Sequence, residues 1–276
     1  MVVAATIANR IAHLFVAHIV PDIAFSCYAI ITIFLGLSLI EIAGYVCLRF
    51  SKCGSAIDVD SRATQLSEDE LPVVCVQLPM FNETAVAARA IGAACKLDWP
   101  RDRFSVQVLD DSTDPGVREL VDATASEWRA AGVDCYVLRR EMRTGYKAGA
   151  LEVGRKETAA PYLCLFDADF VPTADFLRRV MPRFFRADGE PHADLALVQA
   201  QWSNLNAWDS LLTASQSLWV DNHHVVQMAW RSAAWSFVNF TGTAGVWKAS
   251  AIERAGGWKA ATLVEDCEVE ASEHEP

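Results

Sequence analysis

The chain has 276 residues, of which 52% are hydrophobic and 21% charged, a balance that permits a sizeable core and argues against wholesale disorder. Its formal net charge of −11 argues against a nucleic-acid-binding protein, because such proteins need a basic face for phosphates. The eight cysteines are scattered without a C-x-x-C pair, which favours buried, reduced thiols over a disulfide framework or a zinc site.

The first predicted element is an apolar helix near the N-terminus. Residues 23–40 contain no charge, and apolar character continues over residues 42–48 after the interruption at Glu41. Such a run can span a bilayer, and it is too long and begins too late for a signal peptide. We predict that residues 1–50 form an amphipathic segment and a transmembrane anchor. The excess of basic residues after the anchor favours a cytosolic position for the downstream part.

Residues 51–70 are polar and aperiodic, which is typical of a linker. Strand-like apolar runs then recur at intervals of about thirty residues, the spacing of βαβ units. The predicted strands cover residues 73–78, 104–109, 133–138, 162–166 and 195–199. Between them lie helical patterns, such as the one that Asp114 and Pro115 begin as N-cap and first-turn proline. Together they predict an α/β fold, with a doubly wound, mostly parallel sheet and helices on both faces.

Polar side chains follow each of the first four predicted strands. Asn82 and Glu83 follow the first strand, Asp110, Asp111 and Asp114 the second, Arg139, Arg140, Arg143 and Lys147 the third, and Asp167 and Asp169 the fourth. The carboxyl ends of parallel strands meet at one edge of a sheet, where α/β proteins bind ligands. This combination suits a ligand with a nucleobase, hydroxyl groups and a metal-bound diphosphate.

Asp167 and Asp169 stand two residues apart at the end of a fully apolar run. Two such carboxylates repel each other unless a cation or a proton neutralises them, and they suit Mg²⁺ or Mn²⁺. Haloacid-dehalogenase-like phosphatases use this pattern as nucleophile and general acid. Nucleotide-sugar glycosyltransferases use it to hold the metal that neutralises the leaving diphosphate. The three strands that precede the pair favour the glycosyltransferase, because the phosphatase motif belongs on the first strand of its domain.

The second half of the chain adds a small, glycine-rich segment and an acidic pair. Residues 239–247 (NFTGTAGVW) suit the close approach of a substrate. Trp202 and Trp219 can stack on sugar rings or pack in the core. Sugar transfer with inversion needs a carboxylate that takes the proton of the acceptor hydroxyl, and the adjacent Glu265 and Asp266 can supply it unless they belong to a solvated acidic tail.

Several segments resemble glycosyltransferase family 2 and, within it, the cellulose-synthase-like A and C proteins, which are β-mannan and glucan synthases. The similar segments include VQLPMFNE (76–83), QVLDDSTDP (107–115), GYKAGAL (145–151), FDADFVP (166–172), LVQAQW (197–202), FTGTAGVWK (240–248) and VED (264–266). The resemblance covers residues 71–266 and implies a GT-A fold. It also implies an inverting hexosyltransferase at the Golgi membrane that extends a β-glycan from UDP-glucose or GDP-mannose with Mg²⁺ or Mn²⁺.

The resemblance also implies roles for individual residues. The nucleotide sugar would be bound by Asn82, Glu83, Asp110, Asp111, Lys147 and Asp167, the metal by Asp167 and Asp169, and the acceptor by Gly242, Thr243 and Trp202. Asp266, beside Glu265, would be the general base.

Family members continue past the Glu-Asp pair with a Q-x-x-R-W motif and further transmembrane helices, and this sequence contains no Q-x-x-R-W. We therefore expect the domain at residues 71–276 to be truncated at its C-terminus. Alternatives to glycan synthesis are lipid glycosylation, as in ceramide glucosyltransferases, an inactive nucleotide-sugar-binding protein that pairs with an intact synthase, and the phosphatase.

Overall fold

The computed structural model describes residues 20–50, 66–186, 188–235 and 240–259. Within these ranges the chain forms two compact units. The smaller unit combines helix α1 (Val20–Phe50) with residues 221–235, and the larger unit contains residues 66–220 and 240–259. The division into an anchor, a linker and a domain at residues 71–276 stays a prediction.

A mixed sheet forms the centre of the larger unit. Its described strands are β1 (Val74–Met80), β2 (Phe104–Asp110), β3 (Asp134–Leu138), β4 (Tyr162–Leu165), β5 (Leu197–Gln199) and β6 (Gly245–Lys248). They are ordered β3-β2-β1-β4-β6-β5. Strands β1 to β4 pair in parallel, and β6 runs antiparallel between β4 and β5. The α/β fold with a mostly parallel sheet is confirmed.

Strand β6 is an element that the sequence analysis missed. Its glycine-rich approach indicated a substrate loop, yet Val246 and Trp247 are buried in the sheet. Gly245 is needed there for packing, because a Cβ atom at this position would lie 2.5 Å from the ring of Phe240. A glycine in a strand can thus mark a close approach of another group as well as a turn.

Helices cover both faces of the sheet. The helices of the larger unit are α2 (Ala87–Cys95), α3 (Pro115–Ala130), α4 (Tyr146–Lys156), α5 (Phe176–Val180), α6 (Leu211–Asp221) and α8 (Ala249–Arg254), and α7 (Ala229–Trp235) belongs to the smaller unit. Helix α3 begins as predicted, since the Asp114 carboxylate accepts hydrogen bonds from the N–H groups of Gly116 and Val117. Pro182 lies in a 3₁₀ turn, Met181–Phe184, that directly follows α5, and two further 3₁₀ turns span Glu68–Glu70 and Arg101–Arg103.

The core lies on both faces of the sheet and includes four buried free thiols, Cys75, Cys95, Cys135 and Cys164, as predicted. One polar network interrupts it. Gln77 Nε2 donates to Gln107 Oε1 (2.7 Å), and Gln107 Nε2 donates to the carbonyl of Gly154 in α4 (3.0 Å). A Cβ atom at residue 154 would lie 2.4 Å from Gln107 Oε1, so the glycine lets α4 approach β1 and β2 closely. The network thereby fixes the helix that carries Lys147.

In the smaller unit, α1 has 31 residues and a length of about 46 Å. Its segment Phe25–Phe50 is long and apolar enough to cross a membrane. Glu41, the charge that interrupts the apolar run, accepts a hydrogen bond from Arg231 Nη2 at 2.8 Å. One turn further, the ring of Trp230 packs where a Cβ atom of residue 44 would stand, which requires Gly44. Residues 222–228 form a π-helical segment between α6 and α7.

Candidate functional site

The candidate site lies at the carboxyl ends of the parallel strands. Strand β1 pairs with β2 on one side and with β4 on the other. The order in which the chain adds strands to the sheet therefore reverses at β1. Ligands of open α/β sheets bind in the crevice outside such a reversal point. The polar residues that follow β1, β2 and β4, together with the loop after β3, therefore converge there.

Asn82, directly after β1, connects two of these strand ends. Its backbone is left-handed (φ 57°), and its side-chain oxygen accepts hydrogen bonds from the N–H groups of Thr113 and Asp114. Its amide nitrogen donates to the Thr113 hydroxyl, and its own N–H donates to Ser112 Oγ. The sequence analysis assigned Asn82, together with Glu83, to the binding of the nucleotide sugar. In this structure its amide holds the turn after β2 in place.

Asp110 and Asp111 end strand β2, and each has an arginine partner. The Asp110 carboxylate is buried and accepts hydrogen bonds from Arg139 Nε (2.8 Å) and the Ser112 N–H (3.0 Å). Asp111 accepts two bonds from Arg140, at 2.8 and 2.5 Å. Planar forks of this kind are the most strongly oriented of the common ion pairs. Asp110 is therefore a buried structural anchor, whereas Asp111 borders the crevice.

Arg140 also orders the loop that precedes α4. It donates to the carbonyl oxygens of Thr144 and Tyr146, both at 2.7 Å. The turn between them has positive φ at Gly145 (73°) and Tyr146 (46°), a conformation that would be strained without such support. One arginine thus couples the carboxylate at the end of β2 to the loop that positions Lys147.

Arg143 lies beside this pair in an aromatic setting. Its guanidinium is 3.5 Å from the ring centroid of Phe81 and 5.2 Å from that of Tyr146, within range for cation–π attraction. Its Nε lies 3.8 Å from Asp111 Oδ2. Phe81 and Tyr146 are partly exposed, so the group presents flat surfaces to the crevice.

Lys147 and Asp167 meet where β4 ends. Lys147 Nζ lies 2.7 Å from Asp167 Oδ1 and donates to the carbonyl of Gly242, also at 2.7 Å. The Asp167 N–H donates to the hydroxyl of Thr243, which is buried. Asp169 is exposed to solvent. A cation, two carboxylates and a carbonyl are therefore gathered at one strand end.

Gln199 fixes the segment that carries Gly242 and Thr243. Its Oε1 accepts from the Thr241 N–H, and its Nε2 donates to the Thr243 carbonyl, each at 3.0 Å. Trp202 Nε1 donates to the Thr241 hydroxyl. The sequence analysis missed Gln199, although a glutamine at the end of an apolar strand was a usable signal. Gly242 and Thr243 therefore meet Lys147 and Asp167, as a shared substrate site requires.

Helix α4 is fixed at its other end by Glu152. The carboxylate accepts hydrogen bonds from Arg155 (2.8 and 2.9 Å) and from the Trp258 N–H (3.0 Å). Partial burial would raise the pKa of Glu152, but the bonds from Arg155, Trp258 and Lys156 outweigh it and lower the pKa to about 2. This ionised carboxylate joins α4 to the turn that follows α8.

The predicted metal ligands lie within the described residues, and the predicted general base does not. Among the described residues, no three His, Cys, Asp or Glu side chains converge on one point. Asp167 and Asp169 are hard oxygen donors suited to Mg²⁺ or Mn²⁺, and a diphosphate could supply further oxygens. Glu265 and Asp266 lie outside the described residues.

Comparison with known proteins identifies relatives. The family described as glycosyl transferase family 2 matches residues 75–241. Glucomannan 4-beta-mannosyltransferase 9 of Arabidopsis thaliana is 44% identical over 208 residues, which cover 74% of this chain and 38% of that protein. Glucomannan 4-beta-mannosyltransferase 1 of Oryza sativa subsp. japonica is 46% identical over 208 residues, covering 74% of this chain and 39% of that protein. The chain thus spans less than two fifths of either plant relative.

A solved structure supports the fold. The mannosyltransferase PcManGT from Pyrobaculum calidifontis, determined in complex with GDP-Man and Mn²⁺, superimposes with a TM-score of 0.56. The match has 18% sequence identity and covers 83% of this chain and 62% of that chain. At this identity the likeness concerns the fold alone.

Proposed function

The chain belongs to glycosyltransferase family 2, and on that premise we propose that it transfers a hexosyl group from a nucleotide diphosphate sugar to a β-glycan. The family match sets aside the phosphatase alternative. The plant relatives are named as mannosyltransferases, and PcManGT is described with GDP-Man, so GDP-mannose is the first donor to test and UDP-glucose the second.

The observation that carries the proposal is the Lys147–Asp167 pair beside Asp169 at the end of β4. A departing nucleoside diphosphate is strongly negative, and its release needs positive charge placed in advance. Lys147 supplies that charge, and its ion pair with Asp167 holds the ammonium group in place until phosphate oxygens compete for it. A divalent cation held by Asp167 and Asp169 would add charge neutralisation to that of Lys147.

We place the nucleoside end of the donor along Asp111 and the Phe81, Arg143 and Tyr146 group. The Asp111 carboxylate can accept hydrogen bonds from a nucleobase or a ribose, and Arg140 holds it in a fixed orientation. The aromatic rings and the guanidinium plane provide stacking surfaces. Asp110 and Asn82 contribute indirectly, by fixing the ends of β2 and β1, and Glu83 stays a prediction for this pocket.

The acceptor would approach Gly242, Thr243 and Trp202. We propose that Asp266, next to Glu265, takes the proton of the acceptor hydroxyl. As that oxygen forms its bond to the anomeric carbon, the bond from this carbon to the diphosphate oxygen breaks, and the electron pair leaves with the nucleoside diphosphate. A single displacement of this kind inverts the anomeric configuration.

We further propose that α1 anchors the protein in a Golgi-type membrane, with the acceptor glycan on the side of the catalytic unit. The length and apolar character of Phe25–Phe50 support this proposal. The basic residues that follow α1 favour a cytosolic catalytic unit.

The test uses the full chain in lipid nanodiscs. GDP-mannose and UDP-glucose are each supplied with MnCl₂, MgCl₂ or EDTA, and release of nucleoside diphosphate is measured with a manno-oligosaccharide or ceramide as acceptor. We expect mannosyl transfer to the oligosaccharide, its loss in EDTA, and a reduction of about 100-fold or more in Asp167→Asn and Asp169→Asn. Asp102→Asn, an exposed carboxylate beside Arg103, is the matched control.

Other outcomes decide between the alternatives. Transfer to ceramide but not to the oligosaccharide would replace the glycan acceptor with a lipid. Metal-dependent binding of the nucleotide without transfer to either acceptor would favour a binding protein that pairs with an active synthase. Equal activity in EDTA would contradict the metal site.

A further inference from the structure

An open groove in the larger unit lies outside the residues assigned to the candidate site. Its volume is about 500 Å³, and it is lined by Asn204, Asn206, Ser215, Gln216, Trp219 and Val220. The four lining residues at positions 215, 216, 219 and 220 share one side of α6, because they are about one turn apart. The two asparagines belong to the segment that leads into this helix. One helix face and the chain before it therefore form the groove.

The lining of the groove is polar but carries no charge. Residues 204–220 contain one ionisable side chain, Asp209, and it does not line the groove. Within the part of the chain that the structure describes, the side-chain amides of Asn204, Asn206 and Gln216 form no hydrogen bond. Each amide offers both donors and an acceptor. The groove therefore suits a neutral ligand whose groups both donate and accept hydrogen bonds, and it does not suit a phosphate or a metal ion.

Trp219 adds a flat apolar surface to these amides. The sequence left open whether its side chain packs in the core or stacks on sugar rings, and in the structure 70% of this residue is exposed. Val220 beside it is buried. A sugar ring has apolar C–H faces, which stack on an aromatic plane, and hydroxyl groups at its edge, which bind amides. A tryptophan next to three amides therefore matches the surface of a carbohydrate.

The groove is held in shape by local hydrogen bonds. The hydroxyl groups of Ser210 and Thr213 each accept a hydrogen bond from the other residue's backbone N–H, at 3.1 and 2.9 Å. This reciprocal cap fixes the first turn of α6. The Asp209 N–H donates to the carbonyl of Asn206 at 3.1 Å, which fixes the turn before the helix. The two walls of the groove are thus largely formed before a ligand binds.

The groove begins beside the predicted acceptor site. Asn204 follows Trp202 by two residues, and two residues span at most about 7 Å. Trp202 Nε1 donates to the hydroxyl of Thr241, which directly precedes Gly242 and Thr243. An acceptor of several hexose units at Gly242 and Thr243 can therefore extend past Trp202 towards the groove.

We propose that this groove binds hexose units of the β-glycan acceptor that are remote from its reacting end. Trp219 stacks on one ring, and the amides of Asn204, Asn206 and Gln216 bind hydroxyl groups. The inference rests on the proposed function, which supplies the glycan acceptor. It gives the chain a higher affinity for long acceptors than the site at Gly242 and Thr243 provides alone.

The experiment uses the full chain in phosphatidylcholine nanodiscs and mannohexaose as the probe. Titration calorimetry without a donor sugar measures the dissociation constant. We expect Trp219→Ala to weaken binding by about tenfold and Gln216→Ala by about fivefold, since these changes remove a stacking surface and a hydrogen-bonding amide. Trp219→Tyr keeps an aromatic ring and should stay within about threefold of the natural chain. Trp208→Ala is the matched control, because Trp208 is an exposed tryptophan of the same segment that does not line the groove.

Transfer from GDP-mannose to mannohexaose, measured with the same proteins, separates this inference from the proposed function. Weaker binding in Trp219→Ala and Gln216→Ala without transfer by the natural chain would support the groove and contradict the transferase. Transfer by the natural chain with equal affinities in all variants would leave the transferase standing and overturn the groove. No binding of mannohexaose by the natural chain, or an equal loss in Trp208→Ala, would also overturn it. Binding in detergent that disappears in nanodiscs would show that lipid covers the groove, and would overturn the inference too.

Discussion

At the scale of single residues, Arg140 connects more of the candidate site than its place in the sequence indicates. It holds both oxygens of Asp111 and two carbonyls of the turn before α4. Lysine carries the same charge but lacks the planar fork that makes four such bonds possible. Arg140 therefore acts as a positioning residue for Asp111 and for Lys147.

We expect Arg140→Lys to weaken binding of GDP to the full chain by about tenfold, the loss of one to two charge-assisted hydrogen bonds. Titration calorimetry in the presence of MnCl₂ measures the change. Arg178→Lys is the matched control, because Arg178 also pairs with carboxylates, those of Glu68 and Asp98, but on α5. Unchanged affinity in Arg140→Lys would contradict the positioning role.

A second prediction uses Lys147 to distinguish binding of the diphosphate from binding of the nucleoside. Because its ammonium group contacts Asp167 and Gly242, where we place the diphosphate, we expect Lys147→Ala to weaken GDP binding by about 30-fold while guanosine binding changes less than twofold. Lys156→Ala, which removes an exposed lysine of the same helix, should leave both affinities unchanged. Equal losses for GDP and guanosine would indicate general damage to the site.

Much of the candidate site was predictable at the residue scale, since Asp111, Lys147 and Asp167 do gather at one sheet edge. Their partners were not predictable, because the bonds of Arg140 to Asp111 and of Lys147 to Gly242 connect residues 29 and 95 positions apart. Local sequence patterns contain no information about such pairs. The acidic residues 265 and 266 stay predictions.

At the scale of elements, the strands that are buried on both faces were the easiest to predict. Strand β1 is almost wholly buried and shows as an apolar run interrupted by Gln77, as expected for parallel strands covered by helices. Strand β6 was missed because its glycine reports a close contact with Phe240, which is a tertiary property. The direction of β5 also depended on β6, since β5 pairs with it and not with a parallel neighbour.

The contact of α4 with the turn after α8 gives a pH-dependent prediction. The folded-state pKa of Glu152, about 2, lies below its ordinary value near 4.3, so its contribution to stability is complete above about pH 4.3 and is lost as the pH falls towards 2. We expect Glu152→Gln to lower the free energy of unfolding by about 1 kcal/mol at pH 7. The deficit should shrink at pH 3.

Urea denaturation of both proteins at pH 7, 5 and 3 measures this difference. Glu157→Gln, at an exposed position just beyond the C-terminus of α4, controls for the loss of a negative charge. A deficit that is the same at pH 3 as at pH 7 would mean that Glu152 acts through packing and not through its charge.

At the scale of the whole molecule, the sequence predicted α1 and the α/β fold of the larger unit but gave no reason for Glu41 or for residues 221–235. The structure pairs them across 190 residues. An ion pair in apolar surroundings costs desolvation that its attraction only partly offsets, but removing one partner leaves the other charge uncompensated. The two helical segments are therefore expected to depend on each other.

A double-mutant cycle tests this dependence. In the full chain in nanodiscs, we expect Glu41→Arg and Arg231→Glu each to lower the free energy of unfolding by about 1–3 kcal/mol, because each puts two like charges together. The double exchange should recover at least half of that loss, whereas Arg49→Gln, at an exposed basic residue of the same helix, should have little effect. Thermal melting followed by circular dichroism compares the wild-type chain, the two single variants, the double variant and the Arg49→Gln control.

Recovery can arise only if the two side chains interact directly, because exchanged charges that act separately would add their losses. A double variant as unstable as the sum of the single ones would therefore separate Glu41 from Arg231 and require another reason for a carboxylate within α1.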